Sequence, residues 1–230
     1  MSATRLPGKP LIIIGSEPMI VHVWRRAVES GVGEVVVACG EEAIAEAISK
    51  AGGRAVMTDP NLPSGSDRIW QALQKLDPSG KHDVVINIQG DMPTLNPAII
   101  KQALALLDKP GVDIGTLAAA IVDEGEKTDP AVVKVAIDGQ GRALYFSRST
   151  VPSGDGPLYH HIGLYAYKRH ALQKFVSLPP SVLEKREKLE QLRALEAGMR
   201  IDVAIVDTVP LGVDTPEILE KARKILGSKQ

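Results

Sequence analysis

Short aliphatic runs alternate with amphipathic helical segments along the first half of this chain, and this alternation restricts the possible folds more than any other feature. Residues 34–38 contain a continuous Val-Val-Val-Ala run, which is short enough for a buried strand. Strands are predicted at 34–38, 54–57 and 83–88, and helices at 19–30, 41–51, 66–76 and 96–107. Strands that alternate with helices need right-handed crossovers, so the pattern predicts a largely parallel sheet with helices on both faces.

The second half of the chain has a different pattern. Residues 131–138 and 143–149 flank Gly139-Gln140-Gly141, which is typical of a β-hairpin. A strand at 160–167, a long charged helix at 181–198, a strand at 202–206 and a helix at 215–226 are predicted to follow. We therefore predict an α/β fold in one domain over residues 1–230, with a mixed, mostly parallel sheet and an antiparallel hairpin insertion at 130–165.

Composition excludes several classes of function. The chain has 27 basic and 28 acidic residues, a balance that does not fit a general nucleic-acid binder. Its single cysteine permits no intrachain disulfide, so a reducing cytoplasm is the predicted compartment. No uncharged apolar run reaches the ~18–20 residues of a membrane span. With only eight aromatic residues (two Trp, four Tyr and two Phe), the core must be aliphatic.

The N-terminal loop carries two cations. Arg5 and Lys9 bracket a Pro-Gly turn, whose exposed backbone N–H groups and positive charge suit a polyphosphate. The loop is not a P-loop, since the Gly-x4-Gly-Lys-Ser/Thr spacing is absent. A solvated N-terminal loop is the alternative interpretation of the same residues.

Two carboxylates stand at the ends of predicted elements. Asp91 directly follows the third predicted strand, where ligands of open α/β sheets bind, and Asp214 precedes the last helix. As alternatives, Asp91 caps a turn, and Asp214 belongs to a helix start with Thr215 as the cap and Pro216 at the first position. Two carboxylates and a cationic loop are the minimum set for metal-assisted phosphoryl transfer.

Other polar residues lie within well-patterned elements. Ser64-Gly65-Ser66 opens a helix, where small residues let a ligand approach the backbone, although capping by Ser66 also explains the motif. Adjacent His160 and His161 on a strand point to opposite faces, which does not suit one zinc ion. Glu190 fits a solvated face of the long charged helix as well as a binding site.

Taken together, the motifs resemble those of 3-deoxy-manno-octulosonate cytidylyltransferases, also called CMP-KDO synthetases, over about residues 4–226. The motifs that carry the resemblance occur in the family's order: Thr4-Arg-Leu-Pro-Gly-Lys-Pro-Leu11, Met19-Ile-Val-His-Val23, Asn87-Ile-Gln-Gly-Asp91, Ala143-Leu-Tyr-Phe-Ser-Arg148, His161-Ile-Gly-Leu-Tyr165, Leu189-Glu-Gln-Leu-Arg193 and Gly212-Val-Asp-Thr-Pro-Glu217. Each motif is weak alone, and the ordered set is specific.

The resemblance implies a Rossmann-like nucleotidyltransferase fold and the reaction CTP + KDO = CMP-KDO + diphosphate, where KDO is 3-deoxy-manno-octulosonate. The product of this reaction enters lipopolysaccharide synthesis. The family is cytoplasmic, magnesium-dependent and usually homodimeric, and it acts on small molecules without nucleic acid or a membrane as partner. The hairpin region is implied to carry much of the dimer contact.

The resemblance also implies roles for individual residues. Lys9, Asp91 and Asp214 would be the catalytic set, with Asp91 and Asp214 holding Mg²⁺. The CTP-binding residues would be Arg5, Lys9, Ser64, Gly65 and Gln89. The sugar-binding residues would be Arg148, His161, Tyr165, Glu190 and Gln191, with Arg148 as the partner of the sugar's carboxylate.

Two departures from the family pattern leave alternatives open. The family normally begins with a hydrophobic strand and an Ile-Pro-Ala-Arg stretch before the position of Ser2, and it has Thr-Asp where this chain has Cys39-Gly40. The expected consequence of a missing central strand is unpaired strand edges. The alternatives to a KDO enzyme are a cytidylyltransferase for a related acid (amino-KDO or a sialic acid) and an inactive, N-terminally truncated binding protein.

Overall fold

A computed structural model describes residues 6–227 of the chain. Their strands are β1 (Ile13–Ile14), β2 (Glu17–Pro18), β3 (Val36–Cys39), β4 (Arg54–Met57), β5 (Val84–Asn87), β6 (Ile114–Ala120), β7 (Lys134–Ile137), β8 (Ala143–Ser147), β9 (Tyr159–Lys168) and β10 (Ile201–Val206). The α-helices are α1 (Met19–Glu29), α2 (Glu42–Lys50), α3 (Gly65–Leu76), α4 (Pro97–Ala105), α5 (Glu124–Thr128), α6 (Arg169–Ser177), α7 (Val182–Glu187), α8 (Leu192–Glu196) and α9 (Pro216–Gly227). None of the helices in this part of the chain is long and apolar enough to cross a membrane.

The helices predicted in the first half are confirmed, because local signals determine their ends. Helix α1 begins directly after Pro18, and Gly31, with φ of 64°, takes the chain out of the helix. Helix α3 begins after Ser64, whose hydroxyl accepts a hydrogen bond from the N–H of Asp67. The cap of this helix is therefore Ser64, whereas Ser66 is buried within the first turn.

The described residues form two compact units. The first comprises residues 6–80, 88–101 and 210–227, and it contains the parallel pair β3–β4. Ile20 and Val21 of α1 pack with Ile44 and Ile48 of α2 and with Cys39 of β3 in one apolar cluster. A second cluster joins α1 to the last helix and is formed by Leu6, Ile14, Met19, Val213, Leu219, Ala222 and Leu226.

The second unit comprises residues 81–87 and 102–209 and is built on one six-stranded sheet. Strand order is β10-β6-β9-β7-β8, with β5 also paired to β9. Strands β10 and β6 are parallel, whereas β9 is antiparallel to β5, β6 and β7. The prediction of an α/β fold with a mixed sheet is confirmed. The expectation that the sheet is mostly parallel is wrong, because one of its five strand pairings is parallel and four are antiparallel. Strand β6, for which no element was predicted, is buried over its first six residues.

Close packing explains why β6 carries a glycine. A Cβ atom on Gly115 would lie 2.4 Å from the carbonyl oxygen of Ala103 in α4. Only glycine therefore permits this approach of helix to strand. This contact explains why a glycine occurs in a strand whose other residues are β-branched or aliphatic.

The predicted hairpin around Gly139-Gln140-Gly141 is confirmed. Strands β7 and β8 pair antiparallel, with Lys134 opposite Ser147, and Gly141 has the positive φ of 86° that the turn requires. The Asp138 carboxylate accepts hydrogen bonds from the N–H groups of Gln140 and Arg142, which closes the turn. Hairpin geometry thus follows from local sequence.

The prediction of one long helix over 181–198 is wrong. The segment forms α7 and α8, and between them Lys188 has a left-handed backbone with φ of 57°. This break lets Leu189 and Gln191 both turn inward, where they are 6% and 7% exposed. Arg193 then binds Glu184 across the break, with its Nη2 atom 2.5 Å from Oε1. Tertiary contacts therefore override a helical pattern in the sequence.

A buried carboxylate on β10 generates the first testable prediction. Asp202 has a fully buried side chain that accepts hydrogen bonds from Arg200 Nε at 2.8 Å and from Lys109 Nζ at 3.2 Å. Replacing Asp202 by Asn removes the charge that both cations face, so we expect Asp202→Asn to lower the free energy of unfolding by about 1–3 kcal/mol. Urea denaturation measures the change.

The matched control is Asp207→Asn, which makes the same chemical change at an exposed position one residue beyond β10. We expect this control to stay within about 0.5 kcal/mol of the parent chain. Equal losses in the two variants would contradict a special role for the buried carboxylate.

Candidate functional site

Lys9 and Asp91 form the central charge pair of the first unit. The Lys9 Nζ atom lies 2.7 Å from Asp91 Oδ2, and their side chains are 19% and 30% exposed. Gly8 holds the turn before Lys9 with φ of 64°, and a short 3-10 helix, Lys9–Leu11, follows. The structure thus brings together two residues predicted for catalysis that are 82 positions apart in sequence. Arg5 lies outside the described residues.

Asp214 lies on a loop that is hydrogen-bonded to the loop of Asp91. The N–H of Val213 donates to the carbonyl oxygen of Asp91 at 2.9 Å, and the N–H of Leu211 donates to the Thr94 hydroxyl at 2.9 Å. Thr215 caps helix α9 by accepting from the N–H of Ile218, as predicted. Two carboxylates are therefore carried on adjoining loops.

These two carboxylates fit a magnesium ion by the chemistry of their donor atoms. Mg²⁺ is usually bound through one or two protein carboxylates, with phosphate oxygens and waters completing its shell. In this structure the cation beside the Asp91 carboxylate is the Lys9 ammonium group. No cluster of three or more His, Cys, Asp or Glu residues suited to a metal ion occurs within 6–227.

The Ser64-Gly65 turn lies beside Gln89. The amide Nε2 atom of Gln89 is 3.9 Å from the position that a Cβ atom on Gly65 would occupy. The Ser64 hydroxyl both donates to the Asp67 carboxylate at 2.6 Å and accepts from its N–H. Gln89 thus faces the start of helix α3, and the lack of a side chain on Gly65 leaves the backbone open there.

A cleft of about 230 Å³ in the first unit is lined by residues of the N-terminal loop, of β3 and of α3. Pro10 and Arg68 contribute to its wall. Cys39 and Gly40, which stand where the family has Thr-Asp, also line it. A Cβ atom on Gly40 would lie 2.8 Å from the Cα atom of Pro60, so a larger residue here would require the backbone at Pro60 to shift. Arg68 donates to the Thr58 hydroxyl at 2.6 Å, and burial raises the pKa of the Cys39 thiol.

Arg148 of the second unit is anchored by backbone carbonyls. Its Nε donates to the carbonyl oxygen of Glu187 at 3.0 Å and its Nη1 to that of Pro130 at 2.9 Å. Its backbone N–H donates to Glu187 Oε2 at 3.0 Å, and the Ser147 hydroxyl donates to Oε1 at 2.9 Å. Burial opposes the charge of Glu187, but these donors outweigh it and hold the pKa of this carboxyl below its usual value.

Two residues that support Arg148, Glu187 and Lys134, were not predicted from the sequence. Glu187 belongs to a charged run that is typical of a solvated helix face, so nothing in the pattern distinguishes it. Lys134 is fully buried on β7, where its Nζ atom donates to the carbonyl oxygens of Asp129, Val132 and Arg148 at 2.6, 2.9 and 3.2 Å. A lysine inside an apolar strand is the one signal that could have identified it.

His161 and Tyr165 lie side by side on β9. Their ring centroids are 5.6 Å apart, and the Phe146 ring meets His161 edge-on at 4.8 Å. Burial, and then the neighbouring His160, lower the pKa of His161 to about 3, so this imidazole is neutral. Burial also raises the pKa of Tyr165 above its usual value, as do the nearby Tyr167 and Glu190 side chains.

Glu190 and Gln191 occupy the break between α7 and α8. The half-buried Glu190 is near enough to Tyr165 to raise its pKa, and Gln191 is buried. The interpretation of this segment as a solvated helix face is wrong for Arg193, whose guanidinium lies 5.0 Å above the Phe175 ring. The second unit therefore brings His161, Tyr165 and Glu190 together, whereas Arg148 is anchored on the hairpin.

Comparison with known proteins identifies the family. A sequence profile for the family described as Cytidylyltransferase matches residues 1–201. A 3-deoxy-manno-octulosonate cytidylyltransferase from Parvibaculum lavamentivorans is 65% identical, covering 100% of this chain and 90% of the relative. One from Paramagnetospirillum magneticum is 63% identical, covering 98% of this chain and 94% of the relative.

The chain belongs to the 3-deoxy-manno-octulosonate cytidylyltransferase family. A solved structure of CMP:2-keto-3-deoxy-manno-octonic acid synthetase complexed with CTP is similar to it, with a TM-score of 0.92 and 39% identity over 99% of this chain and 95% of that one. A putative glucose-1-phosphate thymidylyltransferase from Bacillus anthracis, at 15% identity and a TM-score of 0.68, shares the fold. The predicted fold class and family resemblance are thereby confirmed.

The neutral His161 of this cytidylyltransferase-family chain generates a prediction about pH. Its pKa is about 3 in the folded chain against 6.5 for an ordinary histidine, so the unfolded chain binds more protons between these values. The free energy of unfolding should therefore fall as pH drops below 6.5, by up to about 1.4 kcal/mol per pH unit. His161→Gln removes this contribution, which flattens the slope.

Urea denaturation at pH 6.5 and pH 4.5 measures both slopes, and His170→Gln at a 74% exposed side chain is the matched control. We expect the parent chain and the control to lose about 2 kcal/mol more than His161→Gln over this interval. Parallel slopes in all three proteins would contradict a buried neutral imidazole.

Proposed function

We propose that this chain transfers the CMP group of CTP to KDO, releasing CMP-KDO and diphosphate, and that the product enters lipopolysaccharide synthesis. The observation that carries the proposal is the Lys9–Asp91 pair on a loop hydrogen-bonded to that of Asp214, in a chain 65% identical to a 3-deoxy-manno-octulosonate cytidylyltransferase. A cation and two carboxylates on adjoining loops support the proposal, because transfer of a phosphoryl group from a nucleoside triphosphate uses both kinds of group.

In the proposed reaction the anomeric hydroxyl of the sugar acid attacks the α-phosphorus of CTP in line. A new O–P bond forms, the bond to the bridging oxygen of the β-phosphate breaks, and diphosphate leaves with that electron pair. Lys9 stabilises the negative charge that grows on the departing phosphates. No side chain is required as general base, so the hydroxyl proton passes to solvent.

Asp91 and Asp214 are the proposed ligands of Mg²⁺. When bound, this ion polarises the α-phosphate and lowers the pKa of the attacking hydroxyl. In the chain alone, Lys9 neutralises Asp91 at 2.7 Å. We infer that the Lys9 ammonium exchanges this carboxylate for phosphate oxygens as CTP binds.

The nucleotide side of the site is assigned to Arg5, Lys9, Ser64, Gly65 and Gln89. Support comes from the nearness of Gln89 to the open backbone at Gly65. A carboxamide both donates and accepts hydrogen bonds, which suits the edge of a cytosine base. A helix start such as that of α3 also favours a negatively charged or carbonyl-bearing ligand.

The sugar-acid side is assigned to Arg148, His161, Tyr165, Glu190 and Gln191. The Arg148 guanidinium suits the carboxylate that distinguishes KDO from neutral sugars, because its planar fork matches that group. A neutral His161 and protonated Tyr165 suit uncharged hydroxyl groups. KDO is favoured over amino-KDO and sialic acids by the residues that match the family's sugar-side motifs.

A homodimer in the cytoplasm is also proposed, with the 130–165 insertion at its interface. Strand β8 lies at one end of the sheet and carries Leu144, which is 57% exposed. An edge strand with an exposed large apolar residue is a surface that a second copy can cover. The single Cys39 is compatible with a reducing compartment.

Diphosphate release tests the proposed reaction. We expect the 230-residue chain to release diphosphate only when CTP, KDO and Mg²⁺ are all present. Asp91→Asn should lower kcat about a hundredfold or more, because it removes a proposed ligand of the ion that would stabilise the charge of the transition state. EDTA should abolish release. Binding of CTP without diphosphate release would support the alternative of an inactive binding protein, and turnover of only a sialic acid or amino-KDO would overturn KDO as substrate.

Arg148→Lys tests the sugar-acid side separately. The lysine keeps the charge but lacks the fork that binds a carboxylate at two points, so we expect the KM for KDO to rise roughly tenfold to a hundredfold while the KM for CTP is unchanged. The matched control is Arg142→Lys at an exposed position of the same hairpin, which should alter neither KM. Equal effects of Arg148→Lys on both KM values would contradict a role confined to the sugar acid.

A further inference from the structure

Strand β9 contains an irregularity at the point where its two predicted sugar-binding residues lie. Thr116 of β6 pairs with Tyr165, but the next residue, Leu117, pairs with Ile162, so two residues of β9 have no counterpart on β6. Extra residues of this kind form a β-bulge, which bends a strand and redirects its side chains. Bulges are common beside active sites for this reason.

The bulge brings two side chains close that a regular strand would separate. Residues four apart on a regular strand are about 13 Å apart along its axis. The rings of His161 and Tyr165 are nevertheless only 5.6 Å apart. Shortening of β9 at the bulge therefore creates this pair of polar rings.

The Thr116 hydroxyl is located in the bulge. Its Oγ1 atom is 2.8 Å from the carbonyl oxygen of Leu164, 3.2 Å from that of Ile162 and 3.0 Å from Nε2 of His161. Thr116 is fully buried and His161 is 7% exposed, so these bonds form away from solvent. One hydroxyl thus contacts both carbonyl oxygens of the bulge and the ring beside it.

Counting protons fixes the direction of each hydrogen bond. A hydroxyl has one proton to donate and lone pairs to accept, whereas a carbonyl oxygen can only accept. Two oxygens lie only 2.8 Å apart when a proton is shared between them, and the Leu164 carbonyl has none, so the Thr116 hydroxyl donates its proton to Leu164. The His161 contact must then run the other way, from an Nε2–H group to the hydroxyl oxygen. A neutral imidazole that is protonated at Nε2 has an unprotonated Nδ1 atom, which is a hydrogen-bond acceptor.

We propose that Thr116 is a positioning residue for the sugar-acid side of the site, because its hydroxyl fixes the bulge of β9 and holds His161 as the Nε2–H tautomer. The inference rests on the proposed function, since it assigns His161 to the sugar acid. In this role Nδ1 accepts a hydrogen bond from a hydroxyl of the sugar acid. A tautomer with Nδ1–H would present a donor instead and would forfeit that bond.

The tautomer is measured by NMR of the ¹⁵N-labelled, full-length chain without substrate. Nitrogen chemical shifts distinguish a protonated ring nitrogen from an unprotonated one, and comparison with His161→Gln identifies the His161 signals among those of five histidines. We expect Nε2 to be protonated and Nδ1 unprotonated at neutral pH. Thr116→Ser keeps the hydroxyl and should preserve this pattern, whereas Thr116→Val should lose it.

The matched control for the spectra is His160→Gln, which changes the neighbouring imidazole on the opposite face of β9. His160 contacts Glu126 at 3.2 Å and has no share in the Thr116 contacts, so this variant should leave the His161 tautomer unchanged. An Nδ1–H tautomer in the parent chain would overturn the proposal, and this result needs no folded Thr116→Val protein.

Kinetics connect the tautomer to substrate. Thr116→Val should raise the KM for KDO roughly fivefold to tenfold, the value of about one neutral hydrogen bond, with the KM for CTP unchanged, and Thr116→Ser should restore the KM for KDO. An unchanged KM for KDO, or an equal rise for both substrates, would overturn the positioning role. If the parent chain turns over no KDO, the proposed function fails, while the NMR result still decides the tautomer.

Discussion

The second unit depends on the backbone hydrogen bonds that strand β9 forms with three neighbouring strands. Strand β9 pairs antiparallel with β5, β6 and β7 at all of its ten residues except the two of the bulge, so most of its backbone N–H and C=O groups have partners in a neighbouring strand. A bulge in such a strand leaves backbone groups without their inter-strand hydrogen bonds, so another group must bind them. Thr116 is that group, and the position of the bulge determines which side chains of β9 meet.

Charge imposes the corresponding constraint on the first unit. The Asp91 carboxylate and the Lys9 ammonium are each partly buried, which is tolerable because they pair at 2.7 Å. The backbone bond from Val213 to Asp91 then attaches a second acidic loop to the same place. The ion pair and this peptide hydrogen bond thus join three segments that are distant in sequence, in addition to the bond from Leu211 to Thr94.

Local signals made part of this structure predictable from sequence. Pro18 and Gly31 define the ends of α1, the Gly139–Gly141 turn defines the hairpin, and Thr215 caps α9. The cationic loop and the two aspartates were recognisable because each stands directly beside a predicted element. Their proximity was not visible in spacing and came only from the family's motifs.

The remainder depends on contacts between residues far apart in sequence. The predicted helix over 181–198 does not form as one element, because Lys188 adopts a left-handed backbone that nothing in the local sequence requires. Glu187 and Arg193 resemble solvated charges until the hairpin and Phe175 are placed against them. Thr116 lies in β6, a strand that was not predicted from the sequence. Its hydroxyl contacts His161 Nε2 and the carbonyl oxygens of Ile162 and Leu164 on β9, and only the register of the sheet brings these groups to it.

The tryptophans and the tyrosines of this chain lie in different units. Both tryptophans, Trp24 and Trp70, belong to the first unit, and all four tyrosines belong to the second. Tyr165 and Tyr167 continue the row of rings from Phe146 to Phe175 along β9. The two halves of the chain therefore carry separate natural chromophores: indole emission reports on the unit with the charge pair, and the phenol bands of near-ultraviolet circular dichroism report on the unit with the bulge, without any label.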